Sequence, residues 1–214
     1  MRKPKAVLFD WDGTLYDSAK VCFKIYKDLF KRFGAGDITY DGFRREFSAD
    51  YHTYQQKHGL GEDKWKDFDN AWYELYYSRA DQSSPFPYAD ETLSTLHAMG
   101  VPLGLVTNAN RKRMNTELKR LGMYKYFTTV VTAEDVGWEL KPSPKPVERA
   151  CDLLDVDRRM IIYIGDMLED IISGSAAGVM TGAVPTGIHT LDKLLTGEPD
   201  FIFADARGVL EVLK

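Results

Sequence analysis

The second part of the chain alternates short apolar runs with amphipathic segments. The apolar runs predict strands over residues 102–106, 128–132, 160–164, 179–184 and 201–203, and helical spacing predicts helices over 89–99, 110–121, 143–154 and 169–177. The opening run, Ala6 to Phe9, predicts one more strand of the same kind. Near-continuous apolar strands separated by amphipathic helices are typical of a parallel sheet that helices cover on both faces. The pattern therefore predicts an α/β core.

Residues 17–86 interrupt this pattern. They predict helices over 19–33, about 41–57 and 63–79, separated by Gly and Asp breaks. Aromatic residues such as Phe43 and Phe47 recur at helical spacing, which indicates packing between short helices, with the lining of a pocket as the alternative. We assign residues 1–16 and 87–214 to the core and residues 17–86 to a helical insert.

The composition of the chain indicates which binding partners and which cellular compartment to expect. The formal net charge of -4 gives no basic footprint for nucleic acid, so a small soluble substrate is expected. Cys22 and Cys151 lack metal-ligand spacing and suggest reduced thiols. The first apolar run stops at Asp10, far short of a membrane segment. We expect a cytoplasmic monomer or homodimer without a membrane partner.

Three apolar runs end in residues that can do chemistry. Asp10 follows the first run, Thr107 and Asn108 follow residues 102–106, and Asp166 follows Gly165 at the end of another. Ligands of open α/β sheets bind just beyond the carboxyl ends of the strands. These residues are therefore expected to converge on one site.

Asp10 and Asp12 lie two residues apart on the turn that leaves the first strand, and Gly13 permits a tight backbone there. One carboxylate can act as nucleophile while the other protonates a leaving oxygen and later activates water. The alternative is an ordinary turn at Asp12 and Gly13, with Asp10 as a cap.

Asp166 and Asp170 are four residues apart at the start of a predicted helix and share one of its faces. With Asp10 they would form a cluster of carboxylates suited to Mg²⁺, which would also neutralise their repulsion. The alternative for Asp170, and for Glu169, is stabilisation of the helix N-terminus.

Thr107, Asn108 and Lys141 are candidates for binding phosphate. The first two suit phosphate oxygens and equally suit a helix N-cap. Lys141 precedes a proline-rich run that should hold it in a fixed loop, where its charge could act on a transferring phosphate. A solvated lysine is the alternative.

These segments resemble, in order and spacing, the four motifs of the haloacid dehalogenase-like hydrolase superfamily. The four are Phe9-Asp10-Trp11-Asp12-Gly13-Thr14-Leu15, Thr107-Asn108, Lys141-Pro142-Ser143-Pro144 and Gly165-Asp166-Met167-Leu168-Glu169-Asp170. The resemblance covers residue 5 to about 18 and residue 85 to the C-terminus, and it leaves the insert largely unmatched. It implies a Rossmann-like core with an inserted all-α cap that closes over the site.

The resemblance also implies roles for the reacting residues. Asp10 would form an aspartyl-phosphate, and Asp12 would be the general acid and base. Thr107 would bind phosphate, Asn108 would help to position it, and Lys141 would hold the nucleophile and the phosphoryl group together.

For the metal, the resemblance implies Mg²⁺ bound by Asp10, the backbone carbonyl of Asp12, and Asp166, with Asp170 acting through the outer shell. Met167 departs from the pattern, because a small hydroxyl residue is more usual at that position. We expect the loss of a supporting hydrogen bond there and no loss of a catalytic role.

Within the superfamily, the resemblance excludes some branches. The dehalogenases and the phosphonate-cleaving enzymes lack the second aspartate, so Asp12 favours phosphoryl chemistry. The mutase-like members carry a histidine where this chain has Cys22. What remains resembles the phosphoglycolate-phosphatase-like group, with a sugar phosphate, a nucleotide or pyrophosphate as alternative substrates.

The substrate-contacting residues of the insert are left open by the sequence. The polar candidates are Arg44, Arg45, His52, Lys57 and His58, and an arginine could clamp a second anion such as the carboxylate of phosphoglycolate. Two rivals from other classes are a phospho-receiver domain and a binding protein without turnover. The helical insert and Asp12 count against the receiver, and the complete set of catalytic positions counts against the binding protein.

Overall fold

A parallel sheet forms the centre of the molecule. The computed structural model describes residues 3–213. Its strands are β1 (Ala6–Phe9), β2 (Tyr16–Asp17), β3 (Ser84–Pro85), β4 (Leu103–Val106), β5 (Thr129–Val131), β6 (Ile161–Gly165), β7 (Met180–Ala183) and β8 (Phe201–Ile202). Within the described residues, six of them pair in parallel in the order β5-β4-β1-β6-β7-β8. The first strand of the chain thus lies in the middle of the sheet.

Helices cover both faces of this sheet. Those of the core are α5 (Ala89–Ala98), α6 (Arg111–Leu121), α7 (Lys145–Leu154), α8 (Leu168–Ala177), α9 (Leu191–Leu195) and α10 (Val209–Val212). Val7 and Phe9 of β1 belong to the hydrophobic cluster that includes residues of α5, α6 and α10. Ala6 and Leu8 belong to the opposite cluster with α7 and α8, because successive side chains of a strand point to opposite faces. The predicted α/β class, a Rossmann-like core with helices on both faces and an inserted helical cap, is confirmed.

The insert has a core of its own. It contains α1 (Ala19–Phe33), α2 (Tyr40–Glu46), α3 (Tyr51–Lys57) and α4 (Trp65–Ser78), whose buried residues form one cluster rich in aromatic rings. The helix predicted over 19–33 has the observed bounds, because its apolar face is continuous and Gly34 ends it with φ of 74°. At the junctions with the core, β2 and β3 pair in antiparallel fashion. The boundaries between residues 16 and 17 and between 86 and 87 stay a prediction.

The single helix predicted over 41–57 is wrong, because two helices, α2 and α3, occupy this range. Phe47 has an extended conformation with ψ of 144°, and Asp50 caps α3 by accepting from the Thr53 amide at 3.2 Å. The break frees Phe47 O and Ala49 N, which a continuous helix would bond internally. Both atoms form hydrogen bonds with the core: Phe47 O accepts from Lys193 Nζ at 2.8 Å, and Ala49 N donates to the Glu169 carboxylate at 2.9 Å. Tertiary hydrogen bonds therefore outweigh local helical propensity here.

Several short elements are not predicted by the hydrophobic pattern of the sequence. They are β2, β3, α9 and α10, each of five residues or fewer. Such lengths carry too few residues for a hydrophobic period to register. In the part of the chain that the structure describes, no helix combines the length and the apolar character needed to cross a membrane.

Candidate active site

The ends of three adjacent strands bring the predicted residues together. Because β1 lies between β4 and β6, Asp10, Thr107 and Asp166 come to the same edge of the sheet. Asp10 is 5% exposed and Asp166 is fully buried. Two carboxylates removed from water at such close range need compensating charge.

Lys141 provides part of that charge. Its Nζ lies 2.7 Å from Asp10 Oδ1 and 2.5 Å from Asp170 Oδ1, and it donates to the Tyr163 hydroxyl at 2.8 Å. Tyr163 in turn donates to Asp170 Oδ1 at 2.8 Å. Burial opposes the lysine charge, but the carboxylates of Asp10 and Asp170 outweigh it and raise the Lys141 pKa above its ordinary value. The alternative that Lys141 is exposed to solvent is therefore wrong. Tyr163 also belongs to the site, although the sequence did not indicate it.

Asn108 holds the loop that carries Lys141. Its Oδ1 accepts from the Lys141 amide at 3.0 Å, and its Nδ2 donates to the Lys141 carbonyl at 3.3 Å. The Thr107 hydroxyl is nearly buried and accepts from the Ala109 amide at 3.1 Å. Asn110, rather than either of these, caps α6. The predicted N-cap alternative for Thr107 and Asn108 thus does not describe their position.

Asp166 lies in a tight backbone cradle. Its Oδ2 accepts from the Ile188 amide at 2.7 Å, and its Oδ1 accepts from the Thr14 hydroxyl at 3.3 Å. Gly13 has φ of +79°, and a Cβ there would lie 2.4 Å from Asp166 Oδ2. Glycine is therefore required on both grounds, backbone conformation and close approach.

Three carboxylates form the candidate metal site. Oxygen atoms of Asp10, Asp166 and Asp170 lie within 4.8 Å of one another, and all three residues are buried. Lys141 offsets one of the three negative charges. Burial raises the Asp10 pKa to about 7 and raises the Asp166 pKa well above its ordinary value. When all three carboxylates are ionised, the charge of Lys141 does not balance theirs. Hard oxygen ligands with excess negative charge fit a divalent cation such as Mg²⁺.

Asp12 lies outside this cluster and meets a different cation. Its Oδ1 lies 2.5 Å from Arg113 Nη2 and accepts from the Ser18 hydroxyl at 2.6 Å. Arg113 also binds Glu117, with Nε 3.0 Å from Oε1. Despite its charge, Arg113 is 4% exposed, and the adjacent carboxylates of Asp12 and Glu117 help to raise its pKa well above the ordinary value against the effect of burial.

Aromatic side chains complete the hydrogen bonding around Arg113 and Glu117. Trp11 Nε1 donates to Glu117 Oε2 at 2.6 Å, and the Tyr76 hydroxyl donates to Glu117 Oε1 at 2.8 Å. Arg113 Nη2 also lies 2.5 Å from the Tyr76 hydroxyl. Because Tyr76 belongs to α4, this network joins the insert to the edge of the sheet where the candidate site lies. In the sequence, Arg113 and Glu117 have the spacing of an ordinary exposed helix pair, so no local signal marked them.

A cavity of about 370 Å³ lies between the insert and the core. At its floor are Asp10, Asp12, Thr107, Asn108, Lys141 and Asp170, and its other lining residues include six aromatic rings. Among the described residues, none of the five polar candidates of the insert lines it. Arg44, for example, donates to the carbonyls of Ile188 and His189 at 3.0 and 3.3 Å. It fastens the insert to the core instead of facing a ligand.

The comparisons with known proteins agree with this arrangement. The family model of the haloacid dehalogenase-like hydrolases matches residues 7–184. The chain belongs to this family. Its resemblance to the family in sequence is thereby confirmed, and the chain is a hydrolase of the haloacid dehalogenase-like type.

Relatives and solved structures extend over the whole chain. A pyrophosphatase PpaX of Bacillus velezensis is 29% identical and covers 99% of this chain and 97% of its own length. A phosphoglycolate phosphatase of Neisseria meningitidis is 27% identical, with 98% and 94% covered. A haloacid dehalogenase-like hydrolase of Streptococcus pneumoniae superposes with a TM-score of 0.85 at 21% identity, and all of both chains is covered. The last likeness concerns the fold.

Proposed function

We propose that the protein is a Mg²⁺-dependent phosphatase that hydrolyses the phosphate monoester of a small metabolite through an aspartyl-phosphate at Asp10. The observation that carries the proposal is the placement of Asp10 between a lysine and two further buried carboxylates at the floor of the cavity. A nucleophile with an adjacent cation and a candidate metal site suits attack on a phosphoryl group. The related phosphatases and pyrophosphatases point to the same reaction class.

In the first step, an Asp10 carboxylate oxygen attacks phosphorus and the bond from phosphorus to the ester oxygen breaks. The proton of the Asp12 carboxylic acid passes to that oxygen, so the leaving group departs as a neutral alcohol. Lys141 binds the phosphoryl oxygens and Asp10 together, and Thr107 contributes its hydroxyl. Mg²⁺ held by Asp10, Asp166 and the Asp12 carbonyl, with Asp170 in support, would supply charge neutralisation at the phosphoryl group.

In the second step, the Asp12 carboxylate removes a proton from water as the water oxygen attacks phosphorus. The acyl phosphate bond breaks, which returns Asp10 as a carboxylate and releases inorganic phosphate. Arg113 and Ser18 hold Asp12 by two hydrogen bonds, which would orient its carboxyl group for both steps.

The test is phosphate release from small phosphomonoesters with Mg²⁺ and with EDTA, comparing the wild type and Asp10→Asn. We expect hydrolysis that requires Mg²⁺ and that Asp10→Asn abolishes. A matched control is Asp192→Asn, which changes an exposed residue of α9 by the same atoms. Turnover by Asp10→Asn would rule out Asp10 as the nucleophile, and full activity in EDTA would rule out the metal.

A further inference from the structure

We propose that the leaving group of the substrate carries an amino group on an apolar or aromatic body and no second anion. This inference rests on the proposed function, because it assumes that the phosphoryl group lies at Asp10. It follows from the charges, the rings and the unused polar atoms of the cavity above that floor.

The charges of the cavity disfavour a second anion. Among the described residues, the cations that line it are Lys141 and Arg113, and each already contacts two carboxylates. The other charged lining residues are all acidic: they are Asp69 and Glu169, together with the floor residues Asp10, Asp12 and Asp170. A carboxylate or phosphate on the leaving group would meet these acids, and like charges would repel it most strongly at Glu169, which is buried.

The walls of the cavity are aromatic. The six rings are Tyr26, Phe47, Tyr51, Trp72, Tyr73 and Trp138. Trp138 is 54% exposed and has φ of 65°, an unfavourable conformation for a bulky residue. A costly backbone and an exposed indole at a cavity are features found where a ligand is bound. Rings of this kind pack against apolar or aromatic bodies and attract cations through their faces.

One buried carboxylate oxygen of Glu169 has no hydrogen-bond donor among the described residues. Glu169 is 8% exposed and lines the cavity, and its Oε1 accepts from Ala49 N at 2.9 Å. Its Oε2 is buried and accepts no hydrogen bond within residues 3–213, the nearest ionisable partner being His189 Nδ1 at 3.8 Å. Leaving a buried acceptor without a donor costs about 1–3 kcal/mol. An amino group supplies both the donor and, when protonated, the opposite charge.

A second unused atom is the indole nitrogen of Trp72. Trp72 Nε1 is buried and donates no hydrogen bond within the same residues, although the side chain lines the cavity. An amino-bearing heteroaromatic ring could use both atoms, whereas an aliphatic amine would use Glu169 alone. Both kinds of leaving group, the heteroaromatic and the aliphatic, have the amino group in common.

The experiment measures kcat/KM with Mg²⁺ for three esters that share one body: 4-(aminomethyl)benzyl phosphate, benzyl phosphate and 4-carboxybenzyl phosphate. We expect kcat/KM to fall in that order, by at least about tenfold from first to last. Cytidine 5′-monophosphate and phosphoethanolamine represent the heteroaromatic and the aliphatic source. Phosphoglycolate and pyrophosphate represent leaving groups with a second anion.

Glu169→Gln isolates the carboxylate charge, because the amide oxygen can still accept from Ala49 N. We expect the ratio of kcat/KM for the aminomethyl ester to that for benzyl phosphate to fall about tenfold, through KM. Glu74→Gln, on the exposed side of α4, removes the same charge outside the cavity and should leave the ratio unchanged.

The outcomes separate the two proposals. Hydrolysis of any ester that depends on Asp10 supports the phosphatase, and failure with every ester contradicts it. The highest kcat/KM with phosphoglycolate, pyrophosphate or the carboxybenzyl ester would overturn the leaving-group inference while leaving the phosphatase intact. A higher value for either amino-bearing source than for phosphoglycolate supports the inference and identifies the source.

Discussion

Two buried cations lie at the candidate site, and each is held by two carboxylates. Lys141 contacts Asp10 and Asp170, and all three belong to the core. Arg113 contacts Asp12 and Glu117, and a tyrosine of the insert completes its hydrogen bonds. We refer to these as the Lys141 cluster and the Arg113 cluster.

The clusters differ in what they leave unbalanced. The Lys141 cluster adjoins Asp166, so one lysine faces three buried carboxylates and does not balance their charge. The Arg113 cluster is completed by neutral donors, Trp11 and Tyr76, which satisfy Glu117 without adding charge. The first arrangement suits binding of metal and phosphate, and the second suits a rigid general acid. A buried cation between two carboxylates therefore suits different roles, depending on whether the adjacent side chains add negative charge or only donate hydrogen bonds.

After the loss of turnover in Asp10→Asn, the largest expected effect is that of Asp12→Asn. The amide cannot transfer a proton, so hydrolysis of the acyl phosphate should slow by about 10²- to 10⁴-fold. With an aryl phosphate, whose phenolate departs without a proton, formation of the phosphoenzyme is spared, so a radiolabelled phosphoenzyme on Asp10 should accumulate and be recoverable after an acid quench. Asp17→Asn, at an exposed position nearby, serves as the control. Steady-state turnover near the wild-type rate would contradict the assigned role of Asp12.

Lys141→Met should reduce kcat by about 10²- to 10³-fold, because it removes a preorganised positive charge from the phosphoryl site. It also leaves the carboxylates of Asp10 and Asp170 unpaired, so the metal-free protein should lose stability. Single-turnover kinetics and thermal unfolding measure the two effects. The control is Lys145→Met, since that lysine lies on the surface. A loss of less than tenfold would show that the Lys141 cluster does not hold the phosphoryl group.

Arg113→Lys should reduce kcat by roughly tenfold and change KM little. A lysine keeps the charge but lacks the planar fork that reaches Asp12, Glu117 and Tyr76 together. Arg111→Lys, at an exposed position in the same helix, is the matched control. An effect confined to KM would indicate that Arg113 binds substrate and does not position Asp12.

Tyr76→Phe should have a smaller effect, because it removes one hydroxyl from the Arg113 cluster and keeps the ring. We expect a loss of about 0.5–1.5 kcal/mol in the free energy of unfolding and a change in kcat below about threefold. Tyr77→Phe is the control, since its side chain is among the exposed ones. Equal unfolding free energies for the two variants would show that the contact between insert and core contributes nothing.

A separate effect, on stability and not on turnover, concerns pH and the metal-free protein. Burial raises the Asp10 pKa from 3.8 to about 7, so the folded state binds this proton more tightly than the unfolded state does. The stability contributed is complete below the unfolded pKa and is lost as the pH rises through about 7. The melting temperature should therefore fall between about pH 4 and about pH 7, by roughly 2–4 °C for each kcal/mol lost, and should fall less in Asp10→Asn.

Mg²⁺ should reverse this loss at the higher pH, because it binds the ionised carboxylates and the folded state alone. Calorimetry with and without Mg²⁺ measures it. A wild-type curve parallel to that of Asp10→Asn at all pH values would contradict the raised pKa.

What the sequence determined by itself is local. The alternation of apolar strands with amphipathic helices predicted the sheet and its cover, and the bounds of α1 followed from an uninterrupted apolar face that ends at Gly34. Asp10 and Asp166 could be named because each follows a buried strand, and parallel strands end at a common edge. Such patterns depend on residues close in sequence, so they are visible without the fold.

Tertiary structure alone decided the contacts between distant segments. From the sequence, stabilisation of the helix N-terminus is the alternative for Glu169, whereas in the structure its carboxylate also accepts a hydrogen bond from Ala49 N of the insert and lines the cavity. Arg113 and Glu117 have the spacing of a surface pair, and only the packing of α4 onto the core buries them. The break between α2 and α3 likewise depends on hydrogen bonds to the core. Burial and long-range pairing arise from which faces meet, and no local period encodes that.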